Sequence, residues 1–459
     1  MNYTTCIVLF LCCCLTGCKP KTQPFVIPPP SLLKTIEQRG ILRVCAHANA
    51  TDYYVHRGVT KGFHYELLKG FADFLGVKLQ METRTHFDQA IQELSEGTFD
   101  LVAMNLVITN NRREQVWFSN PLFYTQRVLI QHKKNASRVD SIPRLEGKKI
   151  VIQSGTSTND FLARLRDSLG IAFEIVELEE KTYEDLMLMV ENHEVEYTVT
   201  EQYLAQTAAR YMPGIDYSVT LSESLPVAWA IPKDALDLQR VINDWIAVTR
   251  QNEVFYMLFN RYFKNRSASS LRRSTYYALK EGIISDFDAF IKKESSSIGW
   301  DWRLLAALIY HESRFEPDVV SPFGAVGLMQ VMPNTAEGLG FKDYLDPLQN
   351  IRAGNAYLKY LHRFFADYPF EPEERVKFIL AAYNAGPGHV LDAMQLAKAN
   401  QKDPYTWSQH VDYYLLNKSK PEYYRDSVVK YGYCDGRQTY NFVHNIIETY
   451  AHYKNIIPE

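Results

Sequence analysis

The sequence predicts a multidomain chain, an α/β module from about Leu33 to Phe263 followed by a mainly α C-terminal part of apolar helices and glycine-rich loops. Three observations carry that expectation. The 459 residues are enough for about three compact units. Strand-like and helix-like periodicities alternate through the first half, which means parallel sheet with crossover helices. Beyond it, Trp302, Leu305, Ile309 and Glu312 recur at steps of three and four, the spacing of one helix face. Hydrophobic residues make up 46%, ample for large cores, and a net charge of -3 gives no footprint for nucleic acid. The twelve histidines include no His-x-x-x-His pair and the cysteines no Cys-x-x-Cys pair, so neither a metal nor another cofactor is expected.

At the N-terminus, Ile7 to Leu15 is apolar but too short to span a bilayer, as in a signal-peptide core. It closes in Leu15-Thr16-Gly17-Cys18, which resembles the lipobox of bacterial lipoproteins. That resemblance implies a signal peptide over 1–17 and lipidation of Cys18. Lys19 after the cysteine, where Asp would retain the protein, implies the outer membrane, periplasmic face. Asn2 to Thr5 lacks Lys and Arg, which leaves an uncleaved anchor as the alternative. Residues 18–32, with Pro28-Pro29-Pro30, read as a tether. Cys6, Cys12, Cys13 and Cys14 leave with the signal, so Cys45 and Cys434 remain and no disulfide framework is implied.

The α/β pattern runs through strand Leu42–Ala46, helix Tyr65–Leu75 ended by Gly76, strand Lys78–Glu82, helix Phe87–Leu94 ended by Gly97, and strand Asp100–Leu106. Lys148 to Gln153 opens a second series. Leu225 to Pro232 would return the chain to the first lobe. Gly62-Phe63-His64-Tyr65-Glu66-Leu67, Gly97-Thr98-Phe99-Asp100, Thr109-Asn110-Asn111-Arg112, Phe118-Ser119-Asn120-Pro121 and Gln153-Ser154-Gly155-Thr156-Ser157 resemble the family 3 solute-binding proteins of amino-acid transport. The resemblance implies a bilobal periplasmic-binding-protein-like module over 33–265. Arg112 would clamp an α-carboxylate, Thr156 would add donors from the second lobe, and Glu201, where the family has Asp, would hold the α-amino group. On the residue alone, a surface arginine paired with Glu114 or a phosphate is the alternative reading of Arg112.

After a junction at 266–284, Glu312 is the residue that carries chemistry. On the apolar stripe a carboxyl is poorly solvated, which raises its pKa and suits a general acid near neutral pH. A solvent-facing Glu beside Arg314 is the alternative for the helix alone. The loop Ser321 to Met332 places Gly324 and Gly327 where backbone could approach a ligand, and Asn334 or Thr335 could open a new helix. Ala381-Ala382-Tyr383-Asn384-Ala385-Gly386-Pro387-Gly388 ends another helix and delivers a phenol and an amide together.

In that order, Glu312-Ser313, Gly327-Leu328-Met329-Gln330, Asp346-Pro347-Leu348-Gln349-Asn350-Ile351 and Ala382-Tyr383-Asn384 resemble the soluble-lytic-transglycosylase domain, a lysozyme-like fold, over about 285–459. With the lipoprotein signal and the solute-binding-like module, the architecture resembles the F-type membrane-bound lytic murein transglycosylase family. That implies cleavage of the β-1,4 bond between N-acetylmuramic acid and N-acetylglucosamine, leaving 1,6-anhydromuramoyl ends. Glycan strands and the outer membrane are the implied partners, with a free amino acid or muropeptide as ligand of the first module. Glu312 would act as acid and then base. Ser313 would hydrogen-bond Glu312, Met329 line a sugar subsite, and Gly327, Gln330, Tyr383, Asn384 and Tyr440 contact substrate. Tyr440 on the closing helix could instead be a core aromatic, and Gln438 and Phe442 stand where the family carries Glu and Tyr. A hydrolase on the same fold, activating water through Glu316 or Asp318, and a non-catalytic cell-wall-fragment receptor are the rival functions.

Overall fold

The computed structural model describes residues 31–264 and 281–457. The signal segment, Cys18, nearly all of the tether and most of the junction lie outside the described residues. The first lobe holds β1 (Ile41–Ala46), β2 (Tyr54–His56), β3 (Val59–Lys61), β4 (Lys78–Thr83), β5 (Leu101–Val107), β6 (Trp117–Phe118) and β7 (Phe123–Thr125). The second holds β8 (Arg127–His132), β9 (Lys149–Gln153), β10 (Glu174–Leu178), β11 (Tyr197–Glu201) and β12 (Ile215–Thr220), before β13 (Leu225–Ile231) returns to the first sheet. The first sheet runs β4-β1-β5-β13-β6 with β7 on β13; the second runs β10-β9-β11-β8-β12.

Each expected element is present to within a few residues, because its punctuation is physical. Gly76 at φ 69° takes the left-handed turn that stops helix Phe63–Leu75, its N–H bonding the carbonyls of Ala72 and Asp73. The sheets are mixed, however, not parallel throughout. β13 lies antiparallel to β5, and β8 antiparallel to β11 and β12. β8 and β13 are the strands on which the chain changes lobe, and no crossover helix precedes either of them to enforce parallel pairing. The hairpin β2–β3 also escaped the sequence pattern, since three-residue strands show no periodicity. Its turn is Arg57-Gly58, at φ 48° and 75°, the left-handed pair that a tight two-residue hairpin requires.

The C-terminal module is helical. Helix Trp302–Ser313, capped by the Asp301 side chain on the Arg303 N–H, packs along the long helix Gly436–Ile456. Pro347–Phe364, Pro372–Ala385 and Pro387–Ala399 surround them, each with proline in its first turn, where the missing N–H costs no hydrogen bond. The short helix after the glycine loop likewise begins at Pro333, not at Asn334 or Thr335.

The two modules share a core. One apolar cluster runs from Phe63, Phe71 and Trp229 of the first lobe to Leu305, Ile446 and Tyr453 of the helical module. Tyr453 donates to the Gly58 carbonyl at 2.8 Å, Tyr53 and His452 bond each other at 2.7 Å, and Thr83 donates to the Asn455 carbonyl at 2.8 Å. The hairpin tip fits so closely that a Cβ on Gly58 would lie 2.5 Å from the Tyr310 ring and 2.7 Å from Phe315.

Candidate active site and ligand cleft

Glu312 stands in the last turn of helix Trp302–Ser313, half-buried, and among the described residues no hydrogen bond or ion pair reaches its carboxylate. Burial alone pushes its pKa up to about 8. Glu316 and Asp318 are exposed, and no second acid contributes to that rise. Facing Glu312, Tyr383 donates its phenol to the Met329 carbonyl at 2.7 Å, and burial with the nearby Glu312 charge raises its own pKa well above the ordinary value. The Asn384 Oδ1 accepts from Thr439 at 2.7 Å, which fixes the amide and leaves Nδ2 as a free donor. Tyr440 is half-exposed beside His444, not a core aromatic.

Several of the expected substrate contacts have structural partners of their own. Ser313 does not bond Glu312; it is 5% exposed and donates to the carbonyls of Leu328 at 2.8 Å and Ile309 at 3.3 Å, pinning the glycine loop to the helix. Met329 is fully buried against Gly354 and lines no open subsite. Gly327, also buried, adopts φ 75°, and a Cβ there would meet Asn350 Nδ2 at 2.5 Å. Gln330 spends both amide hydrogens on the carbonyls of Val319 and Gly327 at 2.9 and 3.0 Å, leaving Oε1 as its open polar atom. Asn350, given no role from sequence, is the hub of the loop. Its Oδ1 accepts from the Met329 N–H at 2.8 Å and its Nδ2 donates to the carbonyls of Val326 and Tyr344, both at 2.9 Å. A buried amide amid glycines was the available signal.

The second site is a small cavity of about 50 Å³ between the two lobes of the first module. Arg112, Thr156 and Glu201 all line it. Arg112 is 9% exposed, bonds the Val107 carbonyl at 3.2 Å, lies over the Phe87 ring, and forms no ion pair among the described residues, with Glu114 or otherwise. Thr156 Oγ1 donates to the Gln153 carbonyl and accepts from the Thr158 N–H, shaping the loop at the start of helix Thr158–Leu169. Glu201 ends β11 opposite Arg127 of β8, whose guanidinium holds Ser157 Oγ at 2.6 Å. Sequence reasoning missed the rest of the lining, notably His47, Asp52, Asn105, Tyr183 and Tyr203.

Residues 42–265 match the bacterial extracellular solute-binding proteins of family 3, and residues 289–406 the transglycosylase SLT domain. Membrane-bound lytic murein transglycosylase F of Desulfosudis oleivorans is 32% identical over 421 residues, which cover 90% of this chain and 90% of that protein. The chain belongs to this family. The F-type transglycosylase of Pseudomonas putida (strain W619) is likewise 32% identical, across 92% of this chain and 87% of its own length. A solved arginine-binding protein from T. maritima, the P235GK mutant, covers 51% of this chain at 24% identity with a TM-score of 0.46, too loose a likeness to bear on the ligand. The chain joins a solute-binding module to a helical SLT domain, and it is a lytic transglycosylase.

Proposed function

We propose that Glu312 cleaves the β-1,4 bond between N-acetylmuramic acid and N-acetylglucosamine by serving first as acid and then as base. Its carboxyl protonates the glycosidic oxygen as the bond to the anomeric carbon breaks. The muramoyl 6-hydroxyl then attacks that carbon and returns its proton to the Glu312 carboxylate, so no water is consumed and a 1,6-anhydro end forms. The Asn384 Nδ2 and the Tyr440 hydroxyl contact the sugar and its acetamide, while Tyr383, Ser313 and Asn350 hold the loop that frames the cleft. The observation that carries this reading is the isolation of Glu312. A hydrolase needs a second carboxylate at a set separation as nucleophile or base, and Glu316 and Asp318 are exposed and do not perturb it. Mass spectrometry of digested sacculi is the test: anhydro ends are expected, and reducing ends would establish the hydrolase instead.

The first module, residues 33–265, is read as a sensor for the catalytic module, residues 285–459. Arg112 clamps the α-carboxylate of a free amino acid or muropeptide, Thr156 supports it, and Glu201 receives the α-amino group. Lobe closure then reaches the catalytic helix through the hairpin tip at Gly58, which touches Tyr310 and Phe315, rather than through the junction alone.

Membrane association is read through Cys18 as a lipid anchor in the outer membrane; no helix among the described residues is long and apolar enough to cross a membrane. Cys18→Ala is expected to abolish labelling by a palmitate analogue and release the chain from the outer-membrane fraction. Label persisting on the variant refutes the anchor.

A further inference from the structure

Of the charged side chains that line the inter-lobe cavity, a simple zwitterionic ligand satisfies Arg112 with its carboxylate and Glu201 with its α-amino group. Asp52 is left over. It is 1% exposed, and its oxygens accept only from neutral donors: Asn49 Nδ2 at 2.7 Å, Thr51 Oγ1 at 2.9 Å and Asn105 Nδ2. His47, which contacts Asn49 at 3.1 Å, is pushed down in pKa by burial, with the Asp52 charge acting the other way, and forms no ion pair with Asp52. Arg127 stands opposite Glu201 in the strand pair, donates to Ser157 Oγ, and forms no ion pair with Asp52. Among the described residues no cation forms an ion pair with Asp52, although a buried carboxylate ordinarily has one.

A second feature points the same way. Tyr203, 6% exposed, and Tyr183 line this cavity with phenol oxygens that have no hydrogen-bond partner. Buried hydroxyls are ordinarily paired. An N–H-rich cation beside Asp52 would donate to both oxygens at once. The cavity of about 50 Å³ has room for roughly four waters, so a ligand enters by parting the lobes, and a single residue demands the smallest opening.

We propose that the cleft selects an α-amino acid whose side chain ends in a second cation, an ammonium or guanidinium placed against Asp52. This rests on the reading that Arg112 and Glu201 hold the α-groups. The same chemistry is offered by a free basic amino acid and by the wall's diamino acid once it is released from its peptide.

Titration calorimetry on the whole chain tests it with L-lysine and L-arginine, their neutral counterparts L-norleucine and L-citrulline, and the free diamino acid of the wall peptide. Lysine and arginine are expected to bind about tenfold or more tighter than the neutral pair. Asp52→Asn should erase that gap while leaving norleucine affinity and the melting temperature close to wild type; Arg112→Ala should weaken every probe. Binding of the free wall diamino acid that depends on Asp52, without binding of lysine or arginine, supports the same chemistry and names the wall as its source. Norleucine binding as tightly as lysine, or a gap that survives Asp52→Asn, overturns the inference yet leaves the amino-acid cleft standing. Absence of binding by every probe sinks both.

Discussion

The two clefts of this chain treat charge in opposite ways. The ligand cavity gathers Arg112, Glu201 and Asp52 around about 50 Å³, with Arg127 close behind. The proposed catalytic site has Glu312 by itself, and desolvation alone lifts it to about 8. A reader of zwitterions needs charged groups at set positions, and here hydrogen bonds orient Arg112 and Asp52. A proton-transfer group must change state near neutral pH, and removing its neighbours and solvent brings that about. Substitutions at the two sites should therefore fail differently: one loses rate, the other affinity.

The largest effect belongs to Glu312→Gln. The amide is nearly isosteric and cannot deliver a proton, and general acid–base assistance is typically worth about two to four powers of ten. Because both steps pass through this one group, turnover of isolated sacculi should fall by at least that much while the melting curve shows an intact fold. A variant retaining more than roughly a tenth of wild-type turnover would remove Glu312 from the mechanism.

Stability should move the other way. The folded-state pKa of Glu312, about 8, lies above the ordinary 4.5, so between those values the native state binds more protons than the unfolded chain. Wild-type stability therefore falls as pH rises from 4.5 to about 8, and Glu312→Gln escapes the loss. By pH 8.5 the variant should be the more stable by on the order of 2 kcal/mol, less than the full shift implies because the side chain is partly solvated. Paired denaturation curves at pH 5 and 8.5 measure it. Activity should decline through the same upper range as the acid form is lost.

Legibility in the sequence divides along the same line. Backbone punctuation was readable: Gly76 stops a helix, and Leu225–Ile231 returns to the first lobe as expected. Glu312 was legible too, because a carboxylate on an apolar stripe is a local pattern. The roles of Ser313 and Met329 were not, since which way a motif side chain faces depends on tertiary partners, here the Leu328 carbonyl and Gly354. Asp52 and Tyr203 were invisible for a related reason, as residues far apart in sequence meet only when the lobes close.

A smaller effect is expected at Thr439, which is 2% exposed and orients Asn384. Thr439→Val keeps the shape and removes the donor. A lost neutral hydrogen bond of about 1 kcal/mol corresponds to a roughly fivefold drop in kcat/KM. The pH profile, set by Glu312, should not move. If it shifts, Thr439 acts on the acid itself and the positioning role is wrong.

The smallest change tests whether the two clefts communicate at all. Tyr453 sits on the helix that packs along the catalytic helix, and its phenol holds the carbonyl of Gly58 at the hairpin tip at 2.8 Å. One residue before it, His452 bonds Tyr53, which directly follows Asp52 of the ligand cavity. A path of two hydrogen bonds thus runs from cavity wall to catalytic module, well away from the junction. Tyr453→Phe deletes one of them without opening a cavity, at a stability cost of about 1 kcal/mol. Ligand affinity should stay within about twofold of wild type, because the change touches no cavity-lining residue and costs little. The change in sacculus turnover that ligand produces should shrink. Equal ligand responses in wild type and variant would mean that this contact fastens the modules together without transmitting closure, and the junction would become the route to examine.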